Sequence, residues 1–451
     1  MLSAAAVENR TFFDDLRDRE FSRLDVQHHA YLDYGGSALY GDSQLRAHHA
    51  LLREGLFGNP HSDSEPSRAS ANVIDAARRR LLRFFDVDES THAVIFTANT
   101  SAAIKLVAEG YAFSPEVACV LSVDNHNSVN GIREYARRAG APIRYLPLDA
   151  ELRLREPDVF LAQQSLHGGG LVAFPAQSNF SGVLHPLDLV MKARALGFDV
   201  LLDVAAFIAS HAFSLRHCPA DFVALSFYKL FGYPTGIGAL VARRDALTKL
   251  RRPWFAGGTV LYGSVIADTH RFRPGHEAFE DGTPNFLGVA ALDAGFDLLD
   301  EVGMARLSGH VSNLTGDFLD ALRELRHANG KPLVRIYGPR DGTGRGSTVA
   351  FNLYSRSGDP IPYSVVESRA RQANVSLRGG CFCNPGASES AFGLDGRRIA
   401  ACLDTLGDAF TPERFAECSD TAVGAVRASI GLANNTGDIG RAVAVMASFR
   451  E

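Results

Sequence analysis

Between residues 94 and 242, short apolar runs alternate with helical stretches, and this alternation limits the chain to few folds. Strand-like runs are expected at 94–96, 118–122, 143–146, 170–174, 199–202 and 221–225, with a further one at 238–242. Helical segments are expected at 102–110, 129–138 and 186–196. Short apolar strands separated by helices make a mainly parallel sheet covered on both faces, an α/β arrangement. Ahead of it, 9–24 reads as an amphipathic helix with Phe12, Phe13, Leu16, Phe21 and Leu24 on one side. A short strand (30–33), a helix (44–56), a loop (58–62) and an Arg-rich helix (67–85) follow. Beyond about 290 the pattern changes. Helices at 286–302 and 304–327, strands at 333–337 and 348–354 joined by a Gly-rich loop, and a closing helix at 438–451 suggest a smaller α+β domain. The expected organisation is an N-terminal helical arm (1–29), a large domain (30–290) and a small C-terminal domain (291–451).

Composition narrows the functional classes. The 451 residues are 46% hydrophobic and 22% charged, enough for a sizeable core. A formal net charge of -5 offers no electrostatic case for nucleic acid. The longest apolar run surrounds Lys229, and its lysine, proline and glycines argue against a membrane span. The first ten residues lack the basic and apolar regions of a secretory signal. Six cysteines are too sparse for a disulfide scaffold and fit a reducing compartment, so a cytoplasmic location is expected.

In open parallel sheets, ligands sit at the carboxyl ends of the strands. Here five strand ends carry polar residues: Thr97 to Ser101, Asp124 to Ser128, Gln177 to Asn179, Asp203, and Ser226 with Lys229. Taken singly each is ordinary: a strand-end aspartate caps loops, a lone histidine is structural, and Lys229 alone reads as a surface lysine in a turn. Together they supply a phosphate cradle at a helix start, an aromatic plate, a hydrogen-bond donor, a carboxylate and an amine. A lysine in apolar surroundings loses its proton readily and can form a Schiff base with an aldehyde. That is the set needed to hold pyridoxal 5'-phosphate (PLP). Nucleotide readings are weak. No Gly-x-Gly-x-x-Gly follows a first strand, and no Gly-x-x-x-x-Gly-Lys-Ser/Thr occurs. A zinc reading of Cys381 and Cys383 lacks a second close pair, since Cys402 and Cys418 lie sixteen apart.

Several long motifs resemble one family in one order. They are 226–240 around Lys229, 96–108, 175–182 (Pro-Ala-Gln-Ser-Asn-Phe-Ser-Gly), 279–283 (Phe-Glu-Asp-Gly-Thr) and 378–387 (Arg-Gly-Gly-Cys-Phe-Cys-Asn-Pro-Gly-Ala). The chain resembles the class V, fold-type I PLP enzymes, namely cysteine desulfurases, selenocysteine lyases and relatives. Within them it is most similar to the desulfurase domain of molybdenum cofactor sulfurases. The likeness runs from residue 31 to about 437 and implies a fold-type I large domain plus a small domain. It implies that Lys229 forms the Schiff base with PLP, that Asp203 pairs with the ring nitrogen, and that His126 stacks on the ring. It gives Asn179 the ring hydroxyl, and Thr100, Ser101, Ser226 and Tyr228 the phosphate. It implies that Thr283 reaches the phosphate of a neighbouring subunit, and hence a homodimer, that Arg427 takes the substrate carboxylate, and that Cys383 carries a persulfide.

The sequence departs from the pattern at four points. Ala206 stands where many desulfurases have glutamine, and Gly379 replaces a small hydroxyl residue. Ser388 stands where some sulfurases have a third cysteine. The C-terminal domain that binds the molybdenum cofactor in eukaryotic sulfurases has no counterpart, which leaves the sulfur acceptor open. The expected function is PLP-dependent desulfuration of L-cysteine to L-alanine through a Cys383 persulfide, with Cys381 either packing its loop or relaying sulfur. The rivals are a C–S lyase or another class V enzyme of a biosynthetic pathway, and, from another class, a sulfur-relay protein whose main work is docking an acceptor.

Overall fold

The computed structural model describes residues 4–165, 169–421 and 423–451. Seven strands form the central sheet: β1 (His92–Thr97), β2 (Ala118–Ser122), β3 (Ile143–Leu146), β4 (Gly170–Pro175), β5 (Phe198–Asp203), β6 (Phe222–Ser226) and β7 (Gly238–Arg243). Their spatial order is β1-β7-β6-β5-β4-β2-β3. Only β7 runs against the others, pairing antiparallel with both β1 and β6. Alternate residues of each strand enter two separate cores. Val94, Val120, Val172, Val200 and Val223 lie in one, and Ile95, Leu121, Leu171, Leu201 and Ala224 in the other. Both faces are therefore apolar, which is why the strands read as near-continuous hydrophobic runs.

The expected mainly parallel α/β sheet is what the chain forms. The strands match their sequence-based ranges to within about two residues at each end. The 129–138 segment divides into Asn127–Asn130 and Ile132–Arg138, and the 286–302 helix divides at Ala291. The 9–24 helix ends at Glu20, and a separate turn of helix covers Arg23–Val26. Elements without a sequence-based range include the helix Pro157–Ser165, the antiparallel hairpin Val260–Ser264 with Thr269–Phe272, and most of those between 363 and 429.

A second, four-stranded sheet holds Val334–Tyr337, Thr348–Leu353, Ala425–Ser429 and Arg378–Gly380 side by side in that order, all antiparallel. Helices 396–406 and 412–419 lie beyond it, and a disulfide between Cys402 and Cys418 joins them. This pair departs from the expectation that the six cysteines fit a reducing compartment. The short strand Ala30–Tyr31 does not join the large sheet. It pairs in parallel with Val375–Ser376, and Asp33 bridges to Ser429. Among the described residues no helix is long and apolar enough to cross a membrane.

The N-terminal helix is fastened by charge and by ring packing. Arg17 is buried, and its guanidinium donates to Asp438 at 2.7 Å and to Asp25 at 2.8 Å. Phe13 stacks on His310 with ring centroids 3.7 Å apart, and His310 Nε2 donates to the Asn434 carbonyl at 2.8 Å. Burial pushes the His310 pKa down from 6.5 to about 4, the Asn434 hydrogen bond opposing only part of the effect. Between those values the unfolded chain binds a proton that the folded one does not. Stability therefore rises with pH across that window and is complete above about 6.5. His310→Gln, which keeps a donor for Asn434, should remove roughly 3 kcal/mol of acid sensitivity. Urea midpoints measured from pH 4 to 7 should slope less in the variant than in the wild type.

Candidate active site

Because β1, β2, β4, β5 and β6 run the same way, their carboxyl ends open at one edge of the sheet. The loops there enclose a cavity of about 360 Å³. Its wall includes Thr100, Ser101, His126, Asn179, Asp203, Ser226, Tyr228 and Lys229, all expected from the sequence. It also includes Asn99, Ser128, Gln177, Ala205, Ala206, Thr235 and Gly236, which the sequence reading gave no role in binding. A period of two from Pro175 through Gln177 to Asn179 is the signal that could have found Gln177.

The helix Thr100–Gly110 starts at the cavity, capped by Asn99 Oδ1, which accepts from the Ala102 amide at 3.0 Å. Thr100 donates its amide to Ser226 Oγ at 2.8 Å, and the two hydroxyls lie 2.6 Å apart. Ser101 Oγ and Ser128 Oγ are 2.5 Å apart. A helix N-terminus ringed by hydroxyls is an anion site. Gly238 makes the close approach possible, since a Cβ there would lie 2.5 Å from the Asn99 carbonyl carbon.

Lys229 follows β6 on the short helix Phe227–Phe231. Burial pushes its pKa below the ordinary lysine value, with the Asp203 carboxylate acting against the shift. Asp203 ends β5, and its Oδ1 accepts from the Ala205 amide at 3.0 Å. His126 caps the helix Asn127–Asn130 by accepting the Ser128 amide on Nδ1 at 3.1 Å, so its proton sits on Nε2. Burial, then the Lys229 ammonium, hold its pKa below the ordinary value. The chemistry of this set fits PLP: hydroxyls and a helix start for phosphate, a strand-end carboxylate for a pyridinium nitrogen, an imidazole and a depressed amine.

Three expected residues lie off this wall. Thr283 borders an adjoining cavity that shares Ala98 and Gly236 with the first, and it accepts from Asn59 Nδ2 at 3.3 Å. Arg427 is buried and already engaged. It donates to the Asn179 carbonyl at 2.9 Å and to Asp33 Oδ1 at 3.1 Å, and only its Nε lacks a partner among the described residues. Cys383 is exposed and is not among the residues lining this cavity.

The Cys383 loop is held firmly rather than hung loose. Phe382 and Cys383 have φ of 55° and 56°, the left-handed region that non-glycine residues rarely adopt. Phe382 buries its ring against Phe180 and under the Arg427 guanidinium, 4.6 Å from the ring centroid. The Phe382 carbonyl accepts from Asn179 Nδ2 at 2.6 Å, and the Cys383 carbonyl from the Asn127 amide at 2.7 Å. Asn384 Nδ2 donates to Asp124 Oδ1 at 2.5 Å and to Asn179 Oδ1 at 2.9 Å. Both polar atoms of the Asn179 carboxamide are therefore committed to this loop.

Sheet order, crossing loops and site together define a fold-type I architecture. The chain belongs to the aminotransferase class V family, whose model matches residues 30–441. It is 38% identical over 415 residues to molybdenum cofactor sulfurase 3 of Aedes aegypti, covering 87% of this chain and 53% of that protein. It is 36% identical over 414 residues to the molybdenum cofactor sulfurase of Solanum lycopersicum, covering 84% and 50%. The chain thus spans about half the length of the curated relatives it matches. Among solved structures it is similar to an apo cysteine desulfurase from Thermococcus onnurineus NA1. There the TM-score is 0.80 and the identity 23%, over 96% of this chain and 97% of that one. It is also similar to the cystine C–S lyase C-DES, with a TM-score of 0.72 and 19% identity, over 96% and 100%.

Asn384→Ala would leave the fully buried Asp124 carboxylate short of one donor, at a cost of about 1–3 kcal/mol. It would also free the loop. Thermal unfolding should come earlier, and iodoacetamide should alkylate Cys383 faster than in the wild type.

Proposed function

We propose that this chain is a PLP-dependent cysteine desulfurase that converts L-cysteine to L-alanine and retains the sulfur as a persulfide on Cys383. One observation carries the reading: an exposed thiol on a loop that is hydrogen-bonded to Asn179 of the wall of the Lys229 cavity. When bound, PLP supplies an electron sink for charge left on the substrate. Lys229, depressed by burial, is the amine for the cofactor's aldehyde and the base for the Cα proton. Asp203 is the carboxylate for the ring nitrogen, and His126 is the plate over the ring. Thr100, Ser101, Ser226 and Tyr228 hold the phosphate, with Thr283 serving the neighbouring subunit's phosphate. Arg427 takes the substrate carboxylate by exchange with Asp33. The Cys383 thiolate attacks the substrate sulfur. An S–S bond forms as the Cβ–S bond breaks, the bonding pair leaves with the carbon fragment, and protonation there completes alanine.

The names of the relatives favour a molybdenum cofactor as the sulfur acceptor. A homodimer is part of the reading. The hairpin Val260–Ser264 with Thr269–Phe272 carries the exposed side chains Leu261, Tyr262, Val265 and Ile266, with Trp254 and Phe255 exposed beside it. An exposed apolar patch of this kind marks an interface. A large domain over 30–290, a small domain over 291–451 and a cytoplasmic location complete the reading.

Purified protein given L-cysteine and a reductant should release alanine and sulfide. Cys383→Ser should keep PLP bound and abolish alanine formation, whereas Cys381→Ser should cost less. Pyruvate in place of alanine would make the enzyme a C–S lyase. In sedimentation velocity the wild type should run as a dimer, and Val265→Asp with Ile266→Asp should shift it toward monomer. Monomeric, fully active wild type would rule out shared sites.

A further inference from the structure

Gln177 is the least explained residue of the cavity wall. Its side chain is 1% exposed, and neither Oε1 nor Nε2 has a hydrogen-bond partner among the described residues. Burying both a donor and an acceptor unpaired is unfavourable, and native structures leave few such groups. Its two neighbours along the strand direction, Ala176 and Ser178, do not line the cavity, while Pro175, Gln177 and Asn179 do. Past the end of the β4 pairing the backbone of Gln177 bridges to Leu184, and the cavity wall that Gln177 shares with Ala205 and Ala206 gets only methyl groups from those two. The carboxamide packs against Gly346, where a Cβ would lie 2.1 Å from Oε1, so its place depends on that glycine. Asn179, expected to reach the ring hydroxyl, has its Nδ2 on the Phe382 carbonyl and its Oδ1 on Asn384.

We propose that Gln177 donates the hydrogen bond to the phenolic oxygen of the PLP ring, and that Asn179 instead fastens the Cys383 loop to the cavity. This rests on the PLP site described above and divides between two residues the work the sequence pattern gives to one. A donor at that oxygen stabilises its deprotonated form and weakens its hold on the neighbouring Schiff-base proton. Removing the donor makes the oxygen more basic, so the Schiff base keeps its proton to higher pH.

The test uses intact protein reconstituted with PLP and reads the cofactor's visible absorption rather than turnover. Gln177→Leu should bind PLP about tenfold more weakly and move the titration midpoint of the visible band up by about one pH unit, as loss of one hydrogen bond to a charged oxygen requires. Adding Ala206→Gln should restore both, placing a carboxamide elsewhere on the same cavity wall. Asn179→Ala should leave the midpoint in place and speed alkylation of Cys383. An unshifted midpoint and undiminished affinity in Gln177→Leu, with a stabilised apo protein, would overturn the assignment and leave Gln177 a packing residue. So would a midpoint that moves in Asn179→Ala instead. Wild-type protein in which borohydride fixes no PLP to Lys229 would overturn the functional reading itself, a result distinct from either.

Discussion

The Asp124 carboxylate is wholly buried, and much of the site hangs on it. It follows β2, and its two oxygens bind three groups from three parts of the chain. Ser178 Oγ donates to Oδ1 at 2.8 Å, Asn384 Nδ2 to the same oxygen at 2.5 Å, and His185 Nε2 faces Oδ2 at 2.9 Å. A buried charge without such partners would be strongly destabilising. Satisfying it fixes the loop after β4, the segment leading to β5 and the Cys383 loop relative to one another. The Cys383 loop is therefore registered against the cavity by a buried carboxylate that does not line it.

A second buried charge does similar work beneath. Arg427 links Asp33, from the N-terminal segment, to the Asn179 carbonyl at the cavity and lies over the Phe382 ring. Arg378 grips the same Asp33 carboxylate, with Nη2 to Oδ2 at 2.6 Å. Polar groups from both ends of the chain thus converge under the site, and their mutual satisfaction accounts for so many buried polar atoms in an apolar fold.

What the sequence made legible follows from periodicity. Strands buried on both faces appear as apolar runs with sharp ends, so β1 to β7 and the polar residues at their ends could be found from the chain alone. The gathering of Thr100, His126, Asp203 and Lys229 at one cavity follows from that order. Pairings between distant polar side chains have no period. Nothing in the spacing tells that the Asn179 carboxamide is spent on Phe382 and Asn384, that Arg427 is held by Asp33, or that Gln177 is left unpaired. The Val260–Phe272 hairpin escaped notice because its apolar residues face outward, and the pattern of a core strand assumes the opposite. Cys402 and Cys418 meet because two helices fold back on each other, which their separation in sequence does not reveal.

The pairing of Ala30–Tyr31 with Val375–Ser376 has a consequence for how the chain is made. The segment carrying Ala30 and Tyr31 leaves the ribosome well before its strand partner, which emerges only after the whole of the large sheet. The large sheet can assemble from neighbouring βα units as they appear. The segment carrying Asp33 has to wait, and so does the anchoring of Arg427 at the floor of the site. Closing so long a loop is an entropic cost met late, after most of the core exists to repay it. The scaffold is therefore built first, and the floor of the cavity is finished only once Val375–Ser376 and Arg427 have emerged.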